Sequence, residues 1–349
     1  MADYDHAYAL MRDLRLTEAE AEFRAVTEAE PDNLWAAIHL GELLMMRGAF
    51  AEGLPLLERR VQLPDMLTYL FSALGPALWQ IPGWDGRPVA GRLLIVGEQG
   101  LGDTLMVARF LPWAAARCGE LFYYGNLPGL EWLLTNIVPG IRVLPLGSPI
   151  PVADAFVLAM SLPSLARTTV DTLPAPPYLT VDPLLLQDWR DYFAGFGGIN
   201  LGICWRGNPD NARDRDRSIP LTRMATAVAR PGVTLHSLQL EDTEEERRAL
   251  AVTDLRDRLL RPPGPKAQTV AAMIALDHCV TVDTAVAHFA GALDLPAHVM
   301  IQRAPYWPYG IGDTVSPWYP SLRLIRADGH GQWDRALMRL SSDLDDILK

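Results

Sequence analysis

The first residues that could do chemistry lie in LLIVGEQGLGDTLMVARFLP, residues 93 to 112. Here an apolar run enters a loop containing Gly97, Gly100 and Gly102, and a helical pattern begins at Asp103. Strand, glycine turn and helix start in this order are typical of phosphate binding, yet a carboxylate would repel a phosphate. Asp103 is therefore either a helix N-cap, worth about 1 kcal/mol, or a general base.

A second stretch, CVTVDTAVAHFAGAL at 279 to 293, predicts a buried strand followed by a helix that begins at Thr284. The backbone amides of Thr284, Ala285 and Val286 would then point outward at the positive end of the helix, where an anion binds readily. His288 lies four residues after Thr284 and shares its helix face. Its imidazole could contact the same ligand, or it could be a packed histidine between helix and sheet.

The third stretch is WRGNPDNARDRDRSIPL, residues 205 to 221. Arg206 and Arg217 flank it close to strand and helix ends, where guanidinium groups could clamp a diphosphate. Arg213 and Arg215 alternate with aspartates, so an extended chain would place them on the same side as Arg217. For these two arginines a solvated, self-neutralised loop is the favoured interpretation.

Composition limits the classes of protein that can hold these residues. The chain has 349 residues, which favours two or three units, and its 49% hydrophobic and 21% charged residues indicate a folded protein. A net charge of -11 argues against a nucleic-acid backbone or an anionic membrane as main partner. No apolar run approaches the roughly 20 residues that span a bilayer, and the N-terminus is not a signal peptide. A cytoplasmic protein is expected.

Cys118, Cys204 and Cys279 are odd in number and widely separated along the chain. Their spacing indicates neither a disulfide framework nor a zinc site. We expect buried thiols.

Residues 1 to 65 show helical periodicity throughout, and Pro31 and Pro64 lie about one 34-residue tetratricopeptide repeat apart. Leu40, Gly41 and Leu44 fit the first helix of such a unit. A helix pair this short must pack on the following domain or on a partner. The segment is therefore a helical cap or a peptide-binding groove, and residues 66 to 90 are expected to form a linker.

Beyond this point, strand-like and helix-like runs alternate, which predicts parallel α/β units. The expected domains are a first Rossmann-like half at 91 to 183 and a second at 184 to 330, followed by an amphipathic helix at 331 to 349. Two such halves would enclose a cleft between the carboxyl ends of their sheets. An anion site on the second half and a base on the first half suit displacement at a carbon between them, as in inverting glycosyl transfer.

At these residues the sequence resembles the glycosyltransferase-B fold, and specifically the family of ADP-heptose lipopolysaccharide heptosyltransferases, in the branch with N-terminal tetratricopeptide repeats. The resemblance is carried by GEQGLGDTLMVARFLP, CWRGNPDNARDRDRSIPL, HSLQL, VDTAVAHFAGAL and SPWYPSLRL, which together span roughly residues 91 to 325. Their order and spacing are more specific than any one of them.

The resemblance implies roles for particular residues. Asp103 would be the catalytic base, on an acceptor-side loop with Gln99, Gly100 and Gly102. The implied donor-binding residues are Arg206, Asn208, Arg217, Ser218, Gln239, Asp283, Thr284, Ala285, Val286 and His288. It implies no metal and no cofactor besides the nucleotide-sugar donor, and a final helix that crosses back to the first α/β domain. The loop RAPYWPYGIGDTV departs from the family's Trp-Arg-Trp stretch: Trp307 is kept, and Arg303 is the candidate basic residue.

Three functions follow from these observations. The leading one is a metal-independent inverting glycosyltransferase that moves a sugar from a nucleoside-diphosphate donor to a glycan, protein or small-molecule hydroxyl. The second is a protein or peptide O-glycosyltransferase whose helical segment binds the acceptor polypeptide. The third is a catalytically silent interaction protein.

Overall fold

The computed structural model describes residues 3–75, 78–125, 129–208, 214–241, 243–247, 250–303, 306–312 and 314–347, with the backbone alone at 71, 73, 74 and 130. The described chain divides into two compact units. Unit 1 contains residues 1–175 together with Tyr306–Ile311, and unit 2 contains Pro176–Pro305 and Gly312–Lys349. The α/β class and the preceding helical segment are as expected.

Unit 1 begins with helices and continues as a parallel α/β sheet. Its helices are α1 (Tyr4–Arg12), α2 (Leu16–Ala29), α3 (Leu34–Met46), α4 (Phe50–Leu57), α5 (Pro64–Leu74), α6 (Leu101–Ala108), α7 (Leu111–Ala115), α8 (Leu130–Ile137) and α9 (Leu162–Leu165). Its strands are β1 (Val89–Val96), β2 (Cys118–Tyr124), β3 (Arg142–Leu144) and β4 (Ala155–Leu158). Short 3-10 turns occur at Glu58–Gln62, Leu78–Gln80, Ala159–Ser161 and Trp307–Tyr309.

The four strands of unit 1 run parallel in the order β3-β2-β1-β4. Residues 93 to 96 of β1 are fully buried, as an apolar run in a central parallel strand should be. The chain proceeds from β1 to β2 and β3 on one side and places β4 on the other. The sheet order therefore reverses between β1 and β4, at the kind of position where open α/β sheets bind ligands.

The helical segment of unit 1 packs into a core of its own, which includes Leu10, Phe23 and Leu40. Helices α3 and α4 approach closely at two glycines, because a Cβ on Gly41 would lie 2.7 Å from the Gly53 carbonyl oxygen. The segment is thus a packed helical layer, as its periodicity predicts.

The linker expected over residues 66 to 90 is wrong. Helix α5 and the turn at Leu78–Gln80 occupy much of this range, and β1 already begins at Val89. Leu70 and Leu78 are buried in one cluster with Leu94 of β1. These leucines give the range an apolar face that packs on the sheet, a signal that the neighbouring prolines and glycines obscured.

A short piece of chain from beyond residue 300 completes unit 1. Trp307 is 1% exposed, and its ring lies edge-on to that of Phe50 in α4, with centroids 6.1 Å apart. The backbone N–H of Ile311 donates to the carbonyl of Met46 at the end of α3, at 3.2 Å. The loop that departs from the family pattern therefore uses its tryptophan to pack on the helical segment.

Unit 2 is a second parallel α/β sheet. Its strands are β5 (Ile199–Cys204), β6 (Val233–Ser237), β7 (Val252–Asp254), β8 (His278–Val282), β9 (Ala297–Ile301) and β10 (Leu322–Arg326), in the order β10-β9-β8-β5-β6-β7. Its helices are α10 (Pro183–Ala194), α11 (Asp214–Arg217), α12 (Leu221–Val228), α13 (Glu244–Arg247), α14 (Arg256–Leu259), α15 (Pro265–Ala275), α16 (Ala285–Ala292) and α17 (Asp334–Ile347). The order reverses between β5 and β8.

The last helix, α17, packs within unit 2. Leu340 and Leu344 are fully buried in the core that also holds Met224 of α12 and Ile325 of β10. Its apolar stripe therefore fits the helix and strand of its own unit, as expected of an amphipathic helix that packs on the body. Its implied crossing back to the first α/β domain stays a prediction.

The division between the units falls between Ala175 and Pro176, earlier than the expected boundary at residue 183. Residues 176 to 183 therefore belong to unit 2, where the N–H of Tyr178 donates to the carbonyl of Ala292 at 3.0 Å. Cys204 and Cys279 are buried, Cys118 is half-buried, and none of the three forms a disulfide. Across the described residues, no helix is both long and apolar enough to cross a membrane.

Candidate active site

In unit 2, three loops gather polar residues at one edge of the sheet. They follow β5, β6 and β8, which are neighbouring parallel strands, so their carboxyl ends lie side by side. The edge between β5 and β8 is where the strand order reverses. Most of the expected donor-binding residues belong to these three loops.

Arg206 leaves the end of β5 and is held by an acidic helix. Its guanidinium forms an ion pair with Glu246, with Nη1 and Oε1 2.5 Å apart. The neighbouring Trp205 donates its indole N–H to the other carboxylate oxygen at 2.8 Å. Glu246 thus fixes both side chains, although nothing in the sequence motif marked it. Asn208 is exposed and is the last residue described before 214.

Arg217 lies at the end of α11, and its contacts place positive charge beside the start of α16. Its Nε donates to Asp214 at 3.0 Å and its Nη1 to the carbonyl of Asp283 at 3.0 Å. Ser218 donates to the second oxygen of Asp214 at 2.8 Å. Gly207 leaves room for this contact, because a Cβ there would lie 2.4 Å from Arg217 Nη2. Arg217 and Ser218 are therefore held together by one buried carboxylate.

The chain is not extended in the described part of this stretch, so the arginines are not aligned as an extended chain would align them. Residues Asp214–Arg217 form a helical turn, in which side chains two apart do not share a face. Arg215 is accordingly exposed while Arg217 is mostly buried. Arg213 lies outside the described residues.

Gln239, after β6, supports the loop after β5. Its Oε1 accepts the backbone N–H groups of Trp205 and Arg206, both at 3.2 Å, and its Nε2 donates to Glu241 at 2.9 Å. Only 4% of its surface is exposed. The thiol of Cys204 lies 3.1 Å from the same Oε1, and burial raises the pKa of this thiol to about 11. The neutral thiol of Cys204 and the side-chain amide of Gln239 therefore lie against the loop after β5.

The start of α16 has the geometry of an N-capped helix. Thr284 is the N-cap, so the helix begins at Ala285 and not at Thr284. Its hydroxyl oxygen accepts the N–H of Val286 at 3.3 Å. Asp283 is buried just after β8, and its backbone carbonyl accepts a hydrogen bond from Arg217 Nη1. The positive end of α16 and the Arg217 guanidinium thus lie together.

His288 is buried one turn into α16. It is 4% exposed, and its Nδ1 lies 3.1 Å from the hydroxyl of Tyr319. Gly291 makes room for the same tyrosine, because a Cβ there would lie 2.2 Å from its ring. This is the arrangement of a histidine packed between a helix and its neighbours.

In unit 1, Asp103 stands in the first turn of α6. The helix begins at Leu101, two residues earlier than expected, and Gly100 is its N-cap. Gln99 and Gly100 are exposed, and Gly102 is half-buried in the first turn. The Asp103 carboxylate accepts the N–H of Gly100 at 3.2 Å, so it closes half of a capping box from the third helical position.

This capping bond does not bury Asp103, which remains partly exposed. Together with Thr104, Tyr123 and Met160 it lines a shallow pocket with about 150 Å³ of empty volume. Burial and, to a smaller extent, the charges of Asp103 and Glu42 raise the pKa of Tyr306, so this phenol stays protonated.

Sequence reasoning missed Glu98, which lies inside the glycine loop. Its side chain is 0% exposed and is paired with Arg60 of the helical segment. Gly97 lies against Tyr123, whose hydroxyl would be 2.8 Å from a Cβ at that position. A glutamate in a glycine-rich turn was the available signal of a functional residue. Its partner Arg60 could not be identified from the sequence, because it lies 38 residues away.

The polar residues of unit 2 and the Asp103 carboxylate of unit 1 can do different chemistry. In unit 2, guanidinium and helix amides can hold an anion. In unit 1, a partly exposed carboxylate in a shallow pocket can accept a proton. Within the described ranges, no group of three or more histidine, cysteine, aspartate or glutamate side chains could hold a metal ion.

Comparisons with known proteins give one relative and several solved structures. No protein-family model matches the chain. Protein FlbA of Caulobacter vibrioides is 30% identical over 309 residues, a match that covers 79% of this chain and 51% of FlbA. The chain therefore spans about half the length of this curated relative.

The chain is also similar to three solved transferase structures. The ADP-heptose lipopolysaccharide heptosyltransferase II of E. coli is 14% identical with a TM-score of 0.48, covering 74% of this chain and 98% of that one. A glycosyl transferase family 9 protein of Veillonella parvula is 11% identical with a TM-score of 0.49, covering 76% and 92%. The iron-containing dodecameric glycosyltransferase TibC of enterotoxigenic E. coli is 12% identical with a TM-score of 0.43, covering 72% and 66%.

Proposed function

We propose that the chain is an inverting glycosyltransferase that moves a sugar from a nucleoside-diphosphate donor to a hydroxyl acceptor. Unit 2 binds the donor, and Asp103 of unit 1 is the general base. The resemblance of the motifs to heptosyltransferases makes ADP-heptose the first donor to test. A glycan, protein or small molecule supplies the hydroxyl, and the reaction is assigned to the cytoplasm.

The observation that carries the proposal is the position of Arg217 beside the start of α16. Its guanidinium donates to the Asp283 carbonyl, the last residue before the N-cap of that helix. A diphosphate at this edge would meet the guanidinium and the positive helix end together, and both favour a charged leaving group. In the proposed reaction, protein groups alone stabilise this charge, without a metal ion.

In the proposed reaction Asp103 removes the proton of the acceptor hydroxyl as its oxygen attacks the anomeric carbon. The new carbon–oxygen bond forms on the face opposite the diphosphate, and the bond from that carbon to the diphosphate oxygen breaks. The nucleoside diphosphate leaves with the electron pair and one additional negative charge. Attack from the opposite face inverts the configuration at the anomeric carbon.

Donor binding is tested first, by thermal unfolding with ADP, GDP, UDP and CMP sugars in turn. A ligand at 100 times its Kd stabilises the folded protein by about 2.7 kcal/mol, a readily measured rise in Tm. Arg217→Met should abolish the rise, whereas Arg215→Met should keep it, because Arg215 is exposed on the same turn. Absence of any response would favour the silent interaction protein.

Catalysis is tested by Asp103→Asn. The variant should lose turnover while its Kd for the donor stays unchanged, because the amide cannot take the proton. The stereochemistry of the product, read by NMR, should show inversion. Full activity of Asp103→Asn would exclude Asp103 as the base, and retention of configuration would exclude the single displacement.

A further inference from the structure

The carboxylate of Glu98 is buried in the loop between β1 and α6, two residues before the N-cap of α6. Arg60 donates to it with two nitrogens, Nε to Oε2 at 3.0 Å and Nη2 to Oε1 at 2.9 Å. The N–H of Met160, after β4, donates to Oε1 at 2.9 Å. Glu98 is thus gripped from the helical segment and from the neighbouring strand.

Arg60 is itself fixed by further acceptors. Its Nη1 donates to Glu58 at 2.8 Å, and its Nη2 donates to the hydroxyl of Ser161 at 2.9 Å. Ser161 in turn donates to the other oxygen of Glu58 at 2.6 Å. Burial alone would lower the pKa of Arg60, but the charges of Glu98 and Glu58 outweigh it and raise that pKa, so the guanidinium remains charged. Glu98, Arg60, Glu58 and Ser161 therefore form one hydrogen-bonded network, which fixes the orientation of the Arg60 guanidinium.

This network leads directly to Asp103. The backbone continues from Glu98 to Gly100, whose N–H donates to the Asp103 carboxylate at 3.2 Å. The hydroxyl of Tyr69 in α5 donates to the carbonyl of Gly97 at 2.6 Å, which fixes the other side of Glu98. A shift of Glu98 would therefore move the N–H group that orients Asp103.

A buried ion pair is a poor device for stability, because desolvation offsets much of its attraction and an apolar pair of similar volume often serves as well. A bidentate arginine fork does fix the direction of a carboxylate, which an apolar contact cannot do. The contact is therefore better suited to orienting the loop than to stabilising unit 1.

We propose that Arg60, in the helical segment, is a positioning residue for Asp103 and acts by holding Glu98 in the loop before α6. The inference rests on the proposed function, in which Asp103 is the base. It makes the helical segment a working part of the transferase, because the orientation of the base depends on one of its arginines.

The test uses the double variant Arg60→Met with Glu98→Leu, which replaces the ion pair by two apolar side chains. It should fold and bind ADP with the Kd of the unaltered protein, because unit 2 is untouched. Its kcat should fall roughly tenfold or more, since misplacing a catalytic group by about 1 Å can cost about 100-fold in rate. Arg60→Lys, which keeps the charge and loses the fork, should show a smaller fall in kcat.

The matched control is Arg24→Met, in the same segment. Arg24 pairs with Glu20 and Glu52 on a partly exposed surface, and its loss should leave kcat unchanged. A folded double variant with unaltered kcat would overturn the inference while leaving the proposed function intact.

Amide hydrogen exchange gives a readout that does not depend on turnover. In the double variant, exchange of the Gly100 and Thr104 amides should accelerate, whereas amides of α16 should keep their protection. Unchanged exchange at Gly100 would overturn the inference even if the unaltered protein transferred no sugar, so the two proposals fail separately.

Discussion

Acid should weaken unit 2 through its buried histidines, and His236 of β6 allows the effect to be measured. His236 is 0% exposed, and its Nε2 lies 2.8 Å from Oδ1 of Asn200. The Asn200 amide nitrogen donates to the Phe193 carbonyl at 3.3 Å, so its Oδ1 is the acceptor and Nε2 carries the proton. The ring centroids of Phe193 and Phe196 each lie 4.8 Å from that of the imidazole. Because these apolar rings exclude water, a second proton on the imidazole is unfavourable.

Burial lowers the pKa of His236 from 6.5 to about 4. As the pH falls below 6.5, the unfolded imidazole takes up a proton and the folded one does not until about pH 4. His236 should therefore have no effect on the free energy of unfolding above pH 7. As the pH falls from 6.5 to 4, this histidine should lower the free energy of unfolding. The loss attributable to His236 is about 2 kcal/mol at pH 5 and approaches about 3 kcal/mol below pH 4.

The assay compares the unaltered protein with His236→Gln in urea at pH 7 and pH 5. Because a chain of two units need not unfold in one step, hydrogen exchange of unit 2 peptides should report the transition. The variant should lose about 2 kcal/mol less than the unaltered protein over this interval. His278 and His298, whose pKa values burial also lowers to about 4, contribute equally to both proteins and cancel.

His330→Gln is the control, because this histidine belongs to the same unit and its side chain is 41% exposed. Equal losses between pH 7 and pH 5 in His236→Gln and in the unaltered protein would refute the reasoning, since the imidazole would then carry none of the linkage.

Two further substitutions test the packing. Trp307→Ala should reduce the stability of unit 1 by about 3–5 kcal/mol, because the ring is buried against Phe50. Hydrogen exchange should then rise in α3 and α4. A rise confined to unit 2 would contradict this packing. Gly291→Ala should reduce the stability of unit 2 by about 1–3 kcal/mol, because its Cβ would lie 2.2 Å from the Tyr319 ring. Gly312→Ala, where the nearest atom would be 3.7 Å away, should be nearly neutral in thermal unfolding, and equal effects at both glycines would contradict this account.

The strands that position the candidate site could be predicted from the sequence, because apolar runs that end in glycine or polar residues are local signals. The run that ends at Val96 and the run that ends at Val282 both became buried parallel strands. Strand β7 is only three residues long and lacks such a run, so periodicity did not mark it. Helix α5 was missed for a different reason, because the prolines and glycines around it obscured its apolar face.

The contacts of the site could not be predicted, because they join residues that are distant in sequence. Arg60 meets Ser161 across 101 positions, and Arg217 meets the Asp283 carbonyl across 66. Residue types indicated that Arg217 could bind an anion, but not that Gly207 makes space for it. Gln239 was expected near the nucleotide, and no local pattern indicated that its side-chain oxygen also accepts two N–H groups of the loop after β5.

The segment Tyr306–Ile311 has a consequence for the order in which the protein can fold during synthesis. Because these residues belong to unit 1, that unit cannot finish assembling when residue 175 leaves the ribosome. Its last piece emerges only after the five strands from β5 to β9 have been made. Until then the surface of Phe50 that receives Trp307 stays uncovered, and a nascent chain with such an apolar surface is prone to aggregate or to recruit chaperones.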